Sequence, residues 1–172
     1  MRDLYPGARF VPASPKNVGG QLDPALVRLF VIHVAQGRWQ SGLDAWFANP
    51  AAVVSAHFSV GRSGIVHQHV GLARVAWDCE DYNGVSIGIE HLGYSGQKMT
   101  MHQANASHRL LKWLHEQFPQ VPLRRTADPN GHGVIGHGEL GVPGGDHPDC
   151  PGGPILAQWD VMLRPPRPGI RR

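Results

Sequence analysis

Several classes of protein are disfavoured by what this sequence of 172 residues has little of. No apolar run approaches the roughly 18 residues that a membrane-spanning helix needs, so we expect no membrane as a partner. Lysine and arginine are not clustered among aromatic side chains, so nucleic acid is not an expected partner either. Two cysteines, Cys79 and Cys150, are too few for a disulfide framework, although one bridge between them could form outside the cell.

A secretory signal is also missing from the sequence. The first residues carry charge, but no apolar segment follows them, so we predict no signal peptide. Either the protein is made in the cytoplasm without this export route, or the chain is a trimmed domain.

The composition is typical of one globular domain that is rich in loops. Hydrophobic residues make up 41% of the chain and charged residues 17%, which indicates a packed core and not a disordered chain. The 22 glycines and 15 prolines predict many turns. A formal charge of +3 is compatible with an anionic polymer as partner. Eleven histidines are many for this length and favour a metal site.

Apolar patterning predicts a single α/β domain, with a central mixed β-sheet flanked by helices on both faces. Five strands are predicted, at residues 26–34, 53–60, 65–70, 86–92 and 134–135. The second and third form a hairpin through the glycine-containing turn at 61–64. Three helices are predicted, at residues 41–47, 100–118 and 155–163. Ser41 is the predicted N-cap of the first and Thr100 of the second. The apolar side of the third carries Leu156, Trp159 and Leu163.

Proline and glycine mark the two ends of the predicted domain. Residues 1–24 are predicted to be an extended lead-in that lies on the domain, and residues 25–164 to be the domain itself. Residues 165–172 are predicted to be a Pro/Arg-rich tail.

A glycine- and proline-rich stretch near the end of the domain concentrates residues that can bind a metal. Its candidate ligands are His137, Asp146, His147, Asp149 and Cys150. Imidazole, thiolate and carboxylate are ligands that Zn²⁺ prefers. His33 stands at the end of a predicted buried strand, and the ends of parallel strands converge at one edge of a sheet. Three protein ligands would leave the fourth position of a catalytic zinc open for water.

One carboxylate stands out on the strand predicted at residues 86–92. Glu90 shares a strand face with Ser86 and Gly88, while Ile87 and Ile89 point the other way. Burying a carboxylate on such a strand is costly unless a partner is present. A nearby activated water would be that partner, so we interpret Glu90 as the acid–base group of a hydrolase.

Four segments resemble the zinc-dependent N-acetylmuramoyl-L-alanine amidases of the type 2 family. That family includes phage endolysins and shares its fold with the peptidoglycan recognition proteins. The segments are Val31-Ile32-His33, Val54 to Phe58 with Gly61 to Gly64, Ser86-Ile87-Gly88-Ile89-Glu90, and Ile135-Gly136-His137 with Asp149-Cys150-Pro151-Gly152. They occur in the family's order and span residues 27–165, which is nearly the whole chain.

The resemblance implies a site, a substrate and a setting. It implies His33, His137 and Cys150 as Zn²⁺ ligands and Glu90 as the catalytic carboxylate. The substrate would be peptidoglycan, cut at the amide between the lactyl group of N-acetylmuramic acid and L-alanine of the stem peptide. A monomeric phage or prophage lysin, made in the cytoplasm and released to the cell wall through a holin, would fit the chain.

Three positions depart from the family pattern. Ala56 stands where many relatives have a catalytic tyrosine, and Pro148 where many have lysine or threonine. Asp78 replaces the histidine of a common Ala-Trp-His sequence, which puts one substrate-side contact in doubt. We interpret His147 as a second catalytic group, which stabilises the oxyanion in place of the usual residue.

Alternatives remain open for the function and for the third ligand. Within the same fold, the chain could be a non-catalytic peptidoglycan-binding module, although such modules often lack the cysteine ligand that is present here. Ser86 lies in a Gly-x-Ser-x-Gly sequence, but a serine nucleophile needs a strand before it and a helix after it. Asp146, His147 or Asp149 could replace Cys150 as the third ligand, and some relatives use aspartate there.

The remaining histidines and aromatic residues have weaker assignments. His57 is interpreted as a structural residue near the site. Three histidines on predicted strands are expected to be exposed or at a pocket rim, namely His67, His69 and His91. Three on the long helix are expected to be solvated, namely His102, His108 and His115. Trp77, Asp78 and Tyr82 either line the substrate groove or pack in the core.

Overall fold

The computed structural model describes residues 1–164, and eight strands form its two sheets. In chain order the strands are β1 (Ala8–Phe10), β2 (Val18–Gln21), β3 (Leu29–Val34), β4 (Phe58–Val60), β5 (Val66–Gln68), β6 (Arg74–Ala76), β7 (Ser86–His91) and β8 (Gly133–Gly136). Six of them make the central sheet in the order β1-β5-β4-β7-β3-β8, and β2 pairs with β6 apart from it. Within the central sheet only β4 and β5 are antiparallel. The predicted central mixed sheet is therefore confirmed.

Within residues 1–164, four α-helices accompany the sheet. They are α1 (Gln40–Ala48), α2 (Met101–Gln117), α3 (Gly153–Leu156) and α4 (Trp159–Leu163). Short 3-10 helices lie at Pro15–Asn17, Glu80–Val85, His137–Leu140 and Val142–Gly144. None of the helices in the part of the chain that is described is long and apolar enough to cross a membrane.

The buried strand β3 separates two packed layers because its side chains alternate. Phe30 and Ile32 belong to the main core, together with the buried face of α2. Leu29 and Val31 point the other way and pack against Tyr82 and other residues of the short 3-10 segments. His33 follows the second set in this alternation. The long helix thus covers one face of the sheet, and the short 3-10 segments pack on the other face, towards which His33 points.

The hairpin is confirmed, but its strands are shorter than predicted. The Gly61 N–H donates to the Ile65 carbonyl at 2.8 Å, and Gly64 takes a positive φ of 85° that favours glycine. The predicted start of the first strand at Val53 is wrong. Val53 itself has a positive φ of 54° and is exposed, and the Ser55 N–H donates to the Trp77 carbonyl, so 53–57 form a loop that is buried only from Ser55 onwards.

The long helix begins as predicted. The Gln103 N–H donates to Thr100 Oγ1, and the Thr100 N–H donates to Gln103 Oε1, both at 3.1 Å. This reciprocal pair is a capping box. The N-cap predicted for the first helix is wrong, because α1 begins at Gln40, one residue before Ser41, and its N-cap Trp39 makes no side-chain cap.

The last predicted helix is also wrong as a single element. Residues 155–163 contain parts of α3 and α4, with a break at Gln158. The Gln158 side chain accepts from the Met99 N–H at 2.7 Å and donates to the Met99 carbonyl at 3.2 Å. This pairing holds Gln158 at a non-helical φ of −103° and ψ of 15°. Trp159 is nevertheless buried against the core, as expected of the apolar side.

The N-terminal residues contribute to both sheets. They run extended, and β1 pairs in parallel with β5 to become an edge of the central sheet. The buried Asn17 side chain donates to the carbonyls of Phe47 and Asn49 at 2.9 and 2.8 Å. The domain boundaries stay a prediction, and the predicted tail at 165–172 lies outside the described residues.

Candidate metal centre

Three predicted ligands meet at the carboxyl ends of β3 and β8. His33 Nδ1 lies 3.0 Å from His137 Nδ1, and these atoms and Cys150 Sγ all lie within 4.8 Å of one another. Tetrahedral zinc with Zn–N bonds of 2.0–2.1 Å places two nitrogen ligands about 3.3 Å apart. The cluster therefore has the donor types and the spacing of a metal site.

A close contact with Gly138 brings Cys150 into this cluster. The Gly138 N–H donates to the Cys150 carbonyl at 2.6 Å. A side chain at Gly138 would lie only 2.7–2.9 Å from the carbonyl oxygens of His147, Pro148 and Cys150. The Val34 N–H points at Cys150 Sγ from 3.4 Å. The glycine is needed because the loop before the cysteine rests directly on its backbone.

Burial keeps the two histidines in the form that binds metal. It lowers the pKa of His33 well below its usual value, and the neighbouring His137 lowers it further. Burial also lowers the pKa of His137, against the opposing effect of a hydrogen bond to the Gly144 carbonyl. Burial and, to a smaller extent, the nearby Glu90 charge raise the pKa of the Cys150 thiol to about 12. Neutral imidazole and thiolate are the metal-binding forms, so a metal would displace the thiol proton.

Glu90 and Asp78 are two of the four residues with carboxyl groups that line the cavity around this cluster, which has a volume of about 370 Å³. Glu90 stands beside His33 in the register of β7 and β3. Burial, with a smaller effect of the Asp78 charge, raises the pKa of Glu90 to about 8. Burial likewise raises the pKa of Asp78 to about 7, although a hydrogen bond from the Cys79 thiol opposes it. Both groups can therefore hold or release a proton near neutral pH.

The other candidate ligands of the loop line this cavity without joining the cluster. Asp146, His147 and Asp149 are exposed. The ring centroid of His147 lies 4.8 Å from that of His137, which places this imidazole at the cavity wall.

Two chemical alternatives are wrong. Ser86 is fully buried and donates to the Tyr82 carbonyl at 2.8 Å, so no substrate can reach its hydroxyl. Cys79 and Cys150 are both free thiols, so the bridge between them is not formed.

The strand histidines were expected to be exposed or at a pocket rim. That expectation is wrong for His69 and His91, whereas His67 lines a cavity beside α1. His67, His69 and His91 are all buried. Each finds a polar partner inside the protein: His67 Nδ1 meets Asp44 at 3.0 Å, His69 Nδ1 meets the Val11 carbonyl at 2.9 Å, and His91 Nε2 meets Ser107 at 2.7 Å. Covered strands bury side chains on both faces, so alternation alone did not indicate exposure.

Histidines of the long helix are solvated only in part. His102 is exposed, whereas His108 and His115 are half-buried and bond the carbonyls of Met162 and Val121. Among the aromatic candidates, Tyr82 packs in the core, and Trp77 lines a second cavity next to the first.

His57 is a buried structural residue. Its Nε2–H donates to the Arg74 carbonyl at 3.1 Å, and its Nδ1 accepts from the Gly88 N–H at 3.3 Å. Protonation of Nδ1 would break the second bond. Burial is the main reason why the pKa of His57 falls to about 4.

We expect His57 to make the protein less stable in acid. Its folded pKa lies below its unfolded value of about 6.5, so between these values the unfolded chain takes up a proton that the folded chain does not. The contribution of the neutral His57 to the free energy of unfolding is complete above pH 6.5. It is lost as the pH falls towards 4, at about 1.4 kcal/mol per pH unit. Denaturant unfolding of the metal-free protein at several pH values would measure the free energy of unfolding. Between pH 4 and pH 6.5, the slope of this free energy against pH should be smaller in His57→Gln than in the wild type by about 1.4 kcal/mol per pH unit. The exposed His102→Gln should keep the wild-type slope, and equal slopes in all three proteins would contradict the prediction.

Comparisons with known proteins identify related sequences and folds. A curated relative, N-acetylmuramoyl-L-alanine amidase A of Achromobacter lyticus, is 38% identical over 85 residues, which are 48% of this chain and 48% of the relative. The chain thus matches about half the length of that relative.

Solved structures share the fold at low sequence identity. The crystal structure of a selenomethionine derivative of AmpD has 24% identity and a TM-score of 0.70, covering 94% of this chain and 97% of that one. The structure of PlyL has 18% identity and a TM-score of 0.67, covering 91% of this chain and 94% of that one. Drosophila peptidoglycan recognition protein SD has 16% identity and a TM-score of 0.65, covering 89% of this chain and 94% of that one. The family model described as N-acetylmuramoyl-L-alanine amidase (Amidase_2) matches residues 23–153, most of the sequence, so this chain belongs to the N-acetylmuramoyl-L-alanine amidase family.

Proposed function

We propose that this protein is a zinc hydrolase that cleaves the amide between N-acetylmuramic acid and L-alanine of peptidoglycan. The observation that carries the proposal is the His33, His137 and Cys150 cluster beside the buried Glu90, in a chain of the amidase family. A zinc ion held there would supply Lewis-acid activation of a water molecule and of the amide carbonyl.

Glu90 is the proton carrier in this proposal. Its carboxyl group lies in the cavity, and its pKa of about 8 allows proton exchange near neutral pH. It accepts the proton of the attacking water and delivers it to the leaving amine of L-alanine. The buried Oε2 has no hydrogen-bond partner among the described residues, so no protein group competes with a proton for it.

His147 is the second catalytic group in this proposal. It lines the cavity, and its ring lies against that of His137. A cationic or N–H donor at this place can stabilise the negative charge that develops on the carbonyl oxygen. Pro148, its neighbour, has no side-chain donor for this task.

We expect His147→Ala to lower kcat by about 10²-fold, which is the usual effect of losing one oxyanion donor. Zinc content should stay at the wild-type level, because the side chain lies outside the three-residue cluster. Turnover of a soluble muramyl peptide and metal analysis of the same samples would measure both effects. His132→Ala, an exposed histidine outside the cavity, is the matched control. An unchanged turnover rate with zinc bound would show that His147 has no catalytic role.

The proposed function is tested with purified peptidoglycan. We expect the protein to release L-alanine amino termini, which amine labelling and mass spectrometry would detect. A chelator should abolish the release, and added Zn²⁺ should restore it. Binding to peptidoglycan without any new amino termini would contradict the proposal and favour a non-catalytic binding module.

A lysin released through a holin, acting as a monomer, is the cellular setting that we propose. Cytoplasmic expression together with a holin should lyse a bacterial culture, whereas a Glu90→Gln protein should not. Sedimentation should give the mass of one chain. Lysis that requires no holin, or a dimeric mass, would contradict these parts of the proposal.

A further inference from the structure

We propose that Asp78 is a positioning residue that accepts the Nε2–H of His33 and so holds this ligand in its metal-binding orientation. The inference rests on the proposed metal centre and extends it to a residue outside the three ligands.

The two ligand histidines leave the same ring atom unused. They present Nδ1 to each other, 3.0 Å apart, so Nε2 of each ring points away from the cluster. His137 Nε2 donates to the Gly144 carbonyl at 2.7 Å. His33 Nε2 is buried and has no hydrogen-bond partner among the described residues. One histidine therefore has its outer acceptor, and the other lacks a formed hydrogen bond.

A carboxylate faces the unsatisfied nitrogen. Asp78 Oδ2 lies 3.8 Å from His33 Nε2, and it too is buried without a hydrogen-bond partner in the described residues. The side chains are 2% and 3% exposed, so water does not readily replace either partner. Leaving a buried donor and a buried acceptor both unpaired is costly. A shift of about 1 Å would make a normal hydrogen bond between them.

The loop around Asp78 orients its carboxylate. The N–H groups of Asp78 and Cys79 both donate to Asn83 Oδ1, at 2.9 and 2.7 Å. The Cys79 thiol donates to Asp78 Oδ1 at 3.2 Å. One carboxylate oxygen is thus held by the loop, and the other is left for His33.

The neighbouring strand leaves space for this carboxylate. Asp78 Oδ2 lies over Gly88 of β7, where any Cβ would overlap with it. Gly88 pairs with Val31, two residues before His33 on β3. A glycine at this place lets the Asp78 side chain lie flat on the sheet next to the metal ligand.

A hydrogen bond from His33 Nε2–H to Asp78 would affect how His33 binds a metal. A neutral imidazole that binds metal through Nδ1 carries its proton on Nε2. An acceptor for that proton fixes the tautomer, holds the ring plane and makes the ligand more basic. Asp78 lies at the Nε2 edge of His33, whereas Cys150 and His137 lie at Nδ1, so it acts on the ligand and not as a fourth ligand.

Zinc affinity tests this role without any assay of activity. Competition with a chromophoric chelator would give the Kd of wild type, Asp78→Asn and Asp78→Ala. We expect Asp78→Ala to bind Zn²⁺ about 10–100-fold more weakly, as is usual when the outer partner of a histidine ligand is lost. Asp78→Asn keeps an acceptor but no charge, so its Kd should lie between the two. Asp146→Asn, an exposed carboxylate of the same cavity, should bind like the wild type.

Nitrogen-15 spectra of the histidine rings give a second readout. In the zinc-loaded wild type, His33 Nε2 should be a protonated nitrogen, and its N–H proton should move upfield in Asp78→Asn while that of His137 does not. Affinities within twofold of one another, or a His33 bound to zinc through Nε2, would overturn the inference. If Asp78→Ala does not fold, Asp78→Asn and the wild-type spectrum still decide. A wild type that binds no zinc would instead contradict the proposed metal centre itself.

Discussion

Replacement of Glu90 by glutamine is expected to lower kcat on peptidoglycan by about 10²–10⁴-fold, the range that general acid–base catalysis contributes. Glutamine has nearly the same shape, but it cannot accept the proton of water or deliver one to the leaving amine. Zinc should remain bound, because Glu90 is not one of the clustered ligands. The rate of L-alanine amino-terminus release and the zinc content of the same protein would be measured together.

The matched control for Glu90 is Glu116→Gln, an exposed glutamate on α2. Its activity should equal that of the wild type. A Glu90→Gln protein that keeps more than a tenth of the activity would show that another group carries the proton. Loss of zinc from this variant would show that Glu90 belongs to the metal site and would change its assigned role.

Replacement of Cys150 by serine is expected to remove both zinc and activity. A thiolate is a much better zinc ligand than a neutral hydroxyl. The affinity for Zn²⁺ should therefore fall by more than the roughly 10–100-fold expected when a histidine ligand loses its hydrogen-bond acceptor. Metal analysis after dialysis and peptidoglycan digestion would measure the two losses. Added Zn²⁺ in excess should restore part of the activity if the remaining ligands still hold the ion.

Asp149→Ala is the comparison that separates the two candidates for the third ligand. Asp149 is exposed and lies outside the cluster, so this variant should keep its zinc. Zinc lost from Asp149→Ala and retained by Cys150→Ser would contradict the ligand set. A parallel loss in both variants would indicate that the loop, and not one side chain, determines binding.

The sequence predicts best those elements for which the local residue pattern and the packing of the fold favour the same structure. The apolar run around His33 forms the buried strand β3, and Thr100 caps the long helix as predicted. The family resemblance implied Cys150 as the third ligand, and His137 could be paired with His33 because strand ends meet at one sheet edge. These are short-range signals combined with one simple rule of topology.

What the sequence could not predict depends on contacts between distant segments. For Asp78 the sequence left both the substrate groove and the core open, and in the structure it lines the cavity while the loop held by Asn83 turns it towards His33. His69 was expected at the surface, and it is buried because the N-terminal segment supplies an acceptor at Val11. The break at Gln158 arises from its pairing with Met99, 59 residues away. No local pattern encodes these partners.

The edge position of β1 has a consequence for how the protein can be shortened. The region that matches the family model begins at residue 23, so a protein trimmed to it would lack Ala8–Phe10. The backbone of β5 would then be exposed along a whole side, and unpaired strand edges recruit strands of other molecules. A shortened form of this amidase domain should therefore keep its first ten residues, even though the proposed catalytic groups all lie beyond them.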